Sequence, residues 1–275
     1  MVEPSGWEQV QALLEQRLAG GGVVDDFGFD PEFTDAVFLP LLRPFFRSWF
    51  RVEVTGLENV PSTGSALIVA NHAGVLPWDA LMTQVALADL HPAHRRLRML
   101  AGDLVFELPF IGDIARRAGH TLACQSDAER LLGDGAVVGV WPEGYKGIGK
   151  PFDQRYRLQR FGRGGFVSAA LATGAPIVPT AIVGAEEASP MLADLKPLAR
   201  ALGLPYFPVT PTFPMLGPLG LIPLPSRWCI HFGEPIETQD LPDDPMLVFE
   251  LTDRVRDEVQ RTLYRLLISR GPAFG

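Results

Sequence analysis

Two cysteines in 275 residues, Cys124 and Cys229, are too few for a disulfide framework, and neither stands at a metal-ligand spacing. Reduced thiols in a cytoplasmic protein are the expectation. No apolar run reaches the roughly 18 residues that cross a bilayer, and the N-terminus lacks a basic stretch followed by an apolar core. Neither a transmembrane helix nor a cleaved signal peptide is therefore expected. Positive charge is short as well: 24 Lys and Arg face 32 Asp and Glu, and a net charge of −8 excludes a general nucleic-acid-binding face. Internal repeats and low-complexity tracts are missing too. What remains is 47% apolar residues in a chain long enough to bury a substantial core.

The apolar run Ala66 to Ala70 reads as a buried strand that empties into Asn71-His72-Ala73-Gly74-Val75-Leu76-Pro77-Trp78-Asp79. Further strands are predicted at Val52 to Gly56, Leu97 to Ala101, Ala136 to Trp141, Pro176 to Val183 and Trp228 to Phe232, with helical segments between them. This alternation implies an α/β fold: a single domain with a mixed, mostly parallel sheet flanked by helices. Residues 1–50 read as an N-terminal extension, with a first helix around Trp7 to Leu18 and a second segment from Phe33 to Phe50. In that second segment Arg43, Arg47 and Arg51 fall four apart beside a broad aromatic face, with Pro40 and Pro44 expected to bend or interrupt the helix. Such a segment either lies along a membrane surface or packs inward as a core helix. Residues 51–275 form the domain proper, closed by an amphipathic helix from Pro245 to Arg270. The stretch Leu202 to Ser226 carries seven prolines among Phe, Leu, Ile and Met, which forbids regular structure yet is too apolar for a solvated loop. It is expected to line a groove or touch membrane.

His72 and Asp79 carry the chemistry. A histidine titrating near neutrality accepts a proton from an alcohol, and a carboxylate on its other nitrogen fixes the tautomer and stabilises the imidazolium. Gly74 and Pro77 make a loop that folds back the expected route to bring the two together. No serine or cysteine is placed as a nucleophile beside His72, and no Gly-x-Ser-x-Gly elbow occurs, so direct attack by an activated hydroxyl is the simplest chemistry.

Asn71-His72 followed by Asp79, then Glu107 through Arg117, then Pro142-Glu143-Gly144, then Ile177-Val178-Pro179, resembles the ordered blocks of the glycerolipid (lysophospholipid) acyltransferase family. The likeness runs from about Arg51 to Ile236. It implies that family's fold and transfer of a fatty acyl group from a thioester, acyl-CoA or acyl carrier protein, to a glycerolipid hydroxyl. His72 then matches the general base and Asp79 its orienting acid. Glu143 and Gly144 match the block that holds the acceptor, and Pro179 the acyl-chain side. Asn71, Arg116 and Arg117 are counted with the substrate-binding residues, an exposed helix face being the bland alternative for the two arginines. Six residues separate His72 from Asp79 where four are commonest, a spacing that resembles the monoacylglycerol- and diacylglycerol-acyltransferase-like branch. Leu122-Ala123-Cys124-Gln125 stands where a phosphate-binding arginine is common, which weakens the case for a phosphorylated acceptor.

After the Pro-Glu-Gly block come Lys146, Lys150, Arg155, Arg157, Arg160 and Arg163. Lys146 and Lys150, nearest the block, are the expected partners for the phosphates of CoA or an anionic head group, with a solvated face as the alternative. His91, His94, His120 and His231 show no ligand spacing, so no metal is expected, and no cofactor beyond the thioester co-substrate. The partners implied are membrane lipids and acyl-CoA or acyl carrier protein, at a cytoplasmic site peripheral to the membrane. Two other readings stay open: a thioester hydrolase, and a catalytically silent lipid-binding or membrane-tethering protein of the same fold.

Overall fold

The computed structural model describes residues 11–12, 15–17, 21–162 and 164–274. The helix expected around Trp7 to Leu18 falls mostly outside them. A helical run, α1, passes through Pro31–Phe33, Thr34–Phe38, Leu39–Pro44 and Phe45–Trp49. There follow β1 (Glu53–Thr55), β2 (Ala66–Ala70), α2 (Trp78–Leu90), β3 (Leu97–Ala101), α3 (Asp103–Glu107), α4 (Ile111–Arg117) and β4 (His120–Leu122). The chain continues with α5 (Gln125–Gly133), β5 (Val137–Val140), α6 (Tyr145–Ile148), α7 (Gly165–Thr173), β6 (Ile177–Val183) and α8 (Ala185–Ala188). A small hairpin, β7 (Ala193–Asp194) and β8 (Pro208–Val209), flanks α9 (Lys196–Ala201), after which β9 (Cys229–Phe232) and α10 (Pro245–Arg270) complete the fold.

Seven strands form one sheet in the order β1-β9-β6-β2-β5-β3-β4, and only the β6–β9 pairing is antiparallel. The mixed, mostly parallel α/β sheet is thus present. β2 and β6 are buried along their whole length, which explains why both read as unbroken apolar runs. Ala66, Ile68 and Ala70 turn to a core shared with α1 and α2, whereas Leu67 and Val69 turn to one shared with α5, α7 and α10. β2, β3, β5 and β6 run parallel, so their C-terminal ends lie on one edge. In open α/β sheets this is the edge where ligands bind.

Pro40 and Pro44 do not break α1. The turns on either side widen to i→i−5 spacing, with Leu39 N–H donating to Thr34 and Phe50 N–H to Phe45, which accommodates the missing proline donors. Leu39, Leu42, Phe46 and Phe50 enter the core, and Phe50 stacks on Trp228 with ring centroids 4.5 Å apart. Arg43 and Arg47 both donate to Asp89 on α2, at 2.9 and 3.1 Å. The aromatic face of this helix packs inward.

One buried histidine gives the fold a pH dependence. His120, on β4, has its Nε2 3.5 Å from Gln84 Oε1 and its ring edge-on to Phe38. Burial, helped by the nearby Arg98 guanidinium, pushes its pKa down to about 4. The folded state keeps this imidazole neutral while the unfolded chain protonates it near 6.5, so its contribution is complete above 6.5 and is lost as pH falls toward 4. Denaturant melts at about pH 7 and pH 4 should therefore show about 3 kcal/mol less acid destabilisation in His120→Gln than in the unmodified protein. Parallel losses in both proteins would refute this assignment.

Candidate active site

At the end of β2, Asn71 exchanges both amide groups with β6: Nδ2 donates to Ile182 O at 2.9 Å and Oδ1 accepts Ile182 N–H at 2.7 Å. Its side chain therefore pins the start of the loop to the sheet instead of facing outward to a substrate. The next six residues fold very tightly. Gly74 and Val75 take φ of 95° and 66°, and Leu76 N–H to Gly74 O and Trp78 N–H to Leu76 O close two three-residue turns at 2.6 and 2.8 Å. Only glycine fits at 74, because a Cβ there would lie 2.6 Å from Ala185 O.

The result is that Asp79, in the first turn of α2, comes back to His72, with Oδ2 2.7 Å from Nδ1. The Asp79 carboxylate is fully buried and also accepts Ala73 N–H at 2.9 Å and Ala80 N–H at 2.8 Å. Two backbone donors and the positive end of a helix keep it an acceptor, so Nδ1 carries the proton and Nε2 keeps its lone pair. The His72 side chain is 14% exposed, and Nε2 has no protein hydrogen-bond partner among the described residues. This is the arrangement of a general base with one nitrogen held and the other open.

Glu143 lies just past β5 and is buried. Its Oε1 accepts His72 N–H at 2.9 Å and its Oε2 accepts Gln159 N–H at 2.6 Å. The residue that the resemblance assigns to the acceptor thus fixes the backbone of the histidine. Lys150 points inward: its Nζ stands 2.9 Å from Glu186 Oε1 and 3.7 Å from Glu143 Oε2, and donates to Arg157 O at 3.0 Å. Burial raises the Glu186 pKa, and the adjacent ammonium opposes that rise. Lys150 therefore balances buried carboxylates, and the expectation that it meets phosphates is corrected. Gly144 and Lys146 are exposed beside it. Gly144, at φ 54° and ψ −144°, occupies backbone space that suits glycine alone.

Gly147 makes the closest approach in this region. A Cβ there would lie 2.5 Å from Glu143 Cβ and 2.9 Å from His72 O. Gly147→Ala is expected to push both apart, lowering kcat about tenfold and stability by about 1–3 kcal/mol. Steady-state rates with a thermal melt check this, and an unchanged kcat would mean that the His72 backbone tolerates the shift.

The other expected binding residues are placed elsewhere. Arg116 stacks over Phe106 at 4.5 Å, and Arg117 reaches Asp30 Oδ2 at 3.4 Å and Arg17 O at 3.5 Å. Pro179 pairs with Val69 inside the sheet, its carbonyl accepting Gly233 N–H at 2.8 Å. Arg155 covers Phe152 at 4.5 Å, Arg157 and Arg160 are exposed, and Arg163 lies outside the described residues. Tyr206, in the proline-rich stretch, was not foreseen: its hydroxyl donates to Val75 O at 2.5 Å and so braces the His72 loop. Burial, with the Asp79 charge nearby, raises its pKa. The apolar, proline-rich composition was the available signal, but nothing local marks position 206. Among the described residues no group of three or more His, Cys, Asp or Glu side chains could hold a metal.

A family model described as acyltransferase matches residues 51–183. An uncharacterized protein of Mycobacterium tuberculosis is 64% identical over 96% of this chain and 75% of its own length. A Mycobacterium leprae counterpart is 62% identical over 96% and 73%. The Bos taurus protein named DGAT1/2-independent enzyme synthesizing storage lipids is 26% identical over 77% of this chain and 59% of its own. In fold the chain is similar to the crystal structure of the Thermotoga maritima 1-acyl-sn-glycerophosphate (LPA) acyltransferase PlsC, with a TM-score of 0.56 at 19% identity over 85% of this chain and 80% of that one. Over residues 51–183 the chain thus matches the acyltransferase family, and it shares the PlsC fold.

Proposed function

We propose that the protein transfers a fatty acyl group from an acyl thioester, acyl-CoA or acyl carrier protein, to a hydroxyl of a glycerolipid. The observation that carries this reading is the 2.7 Å contact between His72 Nδ1 and Asp79 Oδ2, which leaves Nε2 open. Nε2 takes the proton of the acceptor hydroxyl as its oxygen attacks the thioester carbonyl. The tetrahedral intermediate collapses, the C–S bond breaks, and the departing thiolate recovers the proton from the His72 imidazolium. Asp79 keeps the imidazole in the required tautomer and stabilises its cation. Glu143 acts indirectly, by holding the His72 backbone.

Thiol release from acyl-CoA or acyl carrier protein tests the reading. Release that rises with added lysophosphatidate, monoacylglycerol or diacylglycerol supports it, whereas equal release without any acceptor identifies a hydrolase.

A further inference from the structure

We infer that the sheet edge carrying His72 is also the face by which the protein docks on an anionic lipid bilayer, with the proline-rich excursion between α8 and β9 as the inserted element. The inference rests on the lipid acyltransferase reading, since it sets the active site against the surface that would hold the acceptor.

Four parallel strands end on this edge, and the excursion is tied to it by Tyr206, whose hydroxyl donates to Val75 O in the His72 loop. His72 follows β2, Phe110 follows β3, Lys146 follows β5 and Met215 follows β6. Large apolar side chains stand in solvent on two of the segments that follow these strands. Met215, Leu219 and Phe110 are 80%, 68% and 83% exposed, and Leu198, Leu202, Leu216 and Ile222 are exposed as well. Apolar residues concentrated in this way mark a contact surface.

Much of the excursion's backbone is paired within it, which lowers the cost of entering lipid. Thr210 N–H donates to Phe213 O at 2.9 Å, Leu216 N–H to Thr212 O at 2.9 Å, and Ile222 N–H to Leu219 O at 3.2 Å. Thr212 Oγ1 closes on Gly220 O at 2.9 Å. Seven prolines between Leu202 and Ser226 remove donors that would otherwise face hydrocarbon unpaired. Tyr206 and Trp49 fasten the segment to the His72 loop and to α1, through Val75 O and Pro223 O.

Charge selects the partner. The chain is net −8, yet exposed Lys146, Arg155, Arg157, Arg160, Lys196 and Arg200 belong to segments on this edge. Cations beside exposed apolar residues suit anionic head groups over an acyl layer. On α1, Leu39, Leu42, Phe46 and Phe50 enter the core and Arg43 and Arg47 pair with Asp89, which leaves Leu41 and Trp49 as its exposed large apolar side chains. No described helix is long and apolar enough to cross a membrane, so surface docking is the mode inferred.

Sedimentation with phosphatidylcholine vesicles, with and without phosphatidylglycerol, tests this without any acyl donor, so the outcome does not depend on whether transfer occurs. The double change Met215→Glu with Leu219→Glu should reduce partitioning onto anionic vesicles about tenfold or more. Lys196→Glu with Arg200→Glu should remove about fivefold per residue on anionic vesicles and little on neutral ones. Leu41→Glu, exposed on α1, should bind as the unmodified protein does, and thermal melts should establish that all variants fold. Loss of binding through Leu41→Glu alone would overturn the assignment. So would unchanged vesicle binding by the Met215 and Leu219 variant, including the case where it instead loses self-association in the ultracentrifuge, which would give this face to a second copy of the chain.

Discussion

His72→Ala is expected to lower kcat for acyl transfer by about 10²- to 10⁴-fold while leaving the melting temperature nearly unchanged. The size follows from what is removed. The open Nε2 is the only proton acceptor this mechanism offers the incoming hydroxyl, and an alcohol near neutral pH is a poor nucleophile without one. The small structural cost follows from the surroundings. The side chain keeps some exposure, and Glu143 and Ile182 hold the segment through the backbone of residue 72 and the amide of Asn71, neither of which the substitution touches. Side chain and scaffold are therefore separable. Residual transfer within a few fold of the unmodified enzyme would remove His72 from the mechanism.

Asp79→Asn is the second large effect, expected at about 10²- to 10⁴-fold in kcat with a loss of about 1–3 kcal/mol in stability. The carboxylate accepts at both oxygens: Oδ2 from His72 Nδ1 and Ala73 N–H, and Oδ1 from Ala80 N–H. An amide cannot accept at both ends. With its NH₂ toward Ala80 it opposes a backbone donor in a fully buried site. With its NH₂ toward His72 it turns Nδ1 into an acceptor, moves the imidazole proton to Nε2 and leaves no base. Either orientation opposes a backbone donor, Ala80 N–H in the first and Ala73 N–H in the second, and the second also removes the base. Rates across pH, together with a denaturant melt, separate the two contributions. A variant that kept both kcat and stability would show that the 2.7 Å contact is incidental.

The sheet was legible because its buried strands are uninterrupted apolar runs. Ala66 to Ala70 and Ile177 to Val183 have no exposed face to alternate with. β4, only three residues long, and the following α5 were hidden for the opposite reason: His120-Thr121-Leu122 carries no pattern of its own, and pairing with β3 makes it a strand. The His72 and Asp79 pair was legible as residues but not as geometry. What shortens the loop is a positive φ at Val75, a conformation that β-branched side chains rarely adopt, held by contacts to Ile148 and Tyr206. Lys150 misled because charge near a motif reads as surface. Its inward turn is set by Glu186, 36 positions away in sequence. Asn71 misled in the same sense, since its partner Ile182 belongs to another strand.

The central claim is that a hydroxyl activated by His72 receives the acyl group directly, and the fate of the acyl chain tests it. Purified protein would be incubated with an acyl-CoA labelled in the fatty acyl group and a panel of lysophosphatidate, monoacylglycerol and diacylglycerol, and the labelled products identified by mass. The account predicts label esterified to a glycerolipid hydroxyl, with equal release of free CoA, and neither product from the His72→Ala variant. Label recovered as free fatty acid whatever the acceptor, or lipid ester formed equally well without His72, would contradict it.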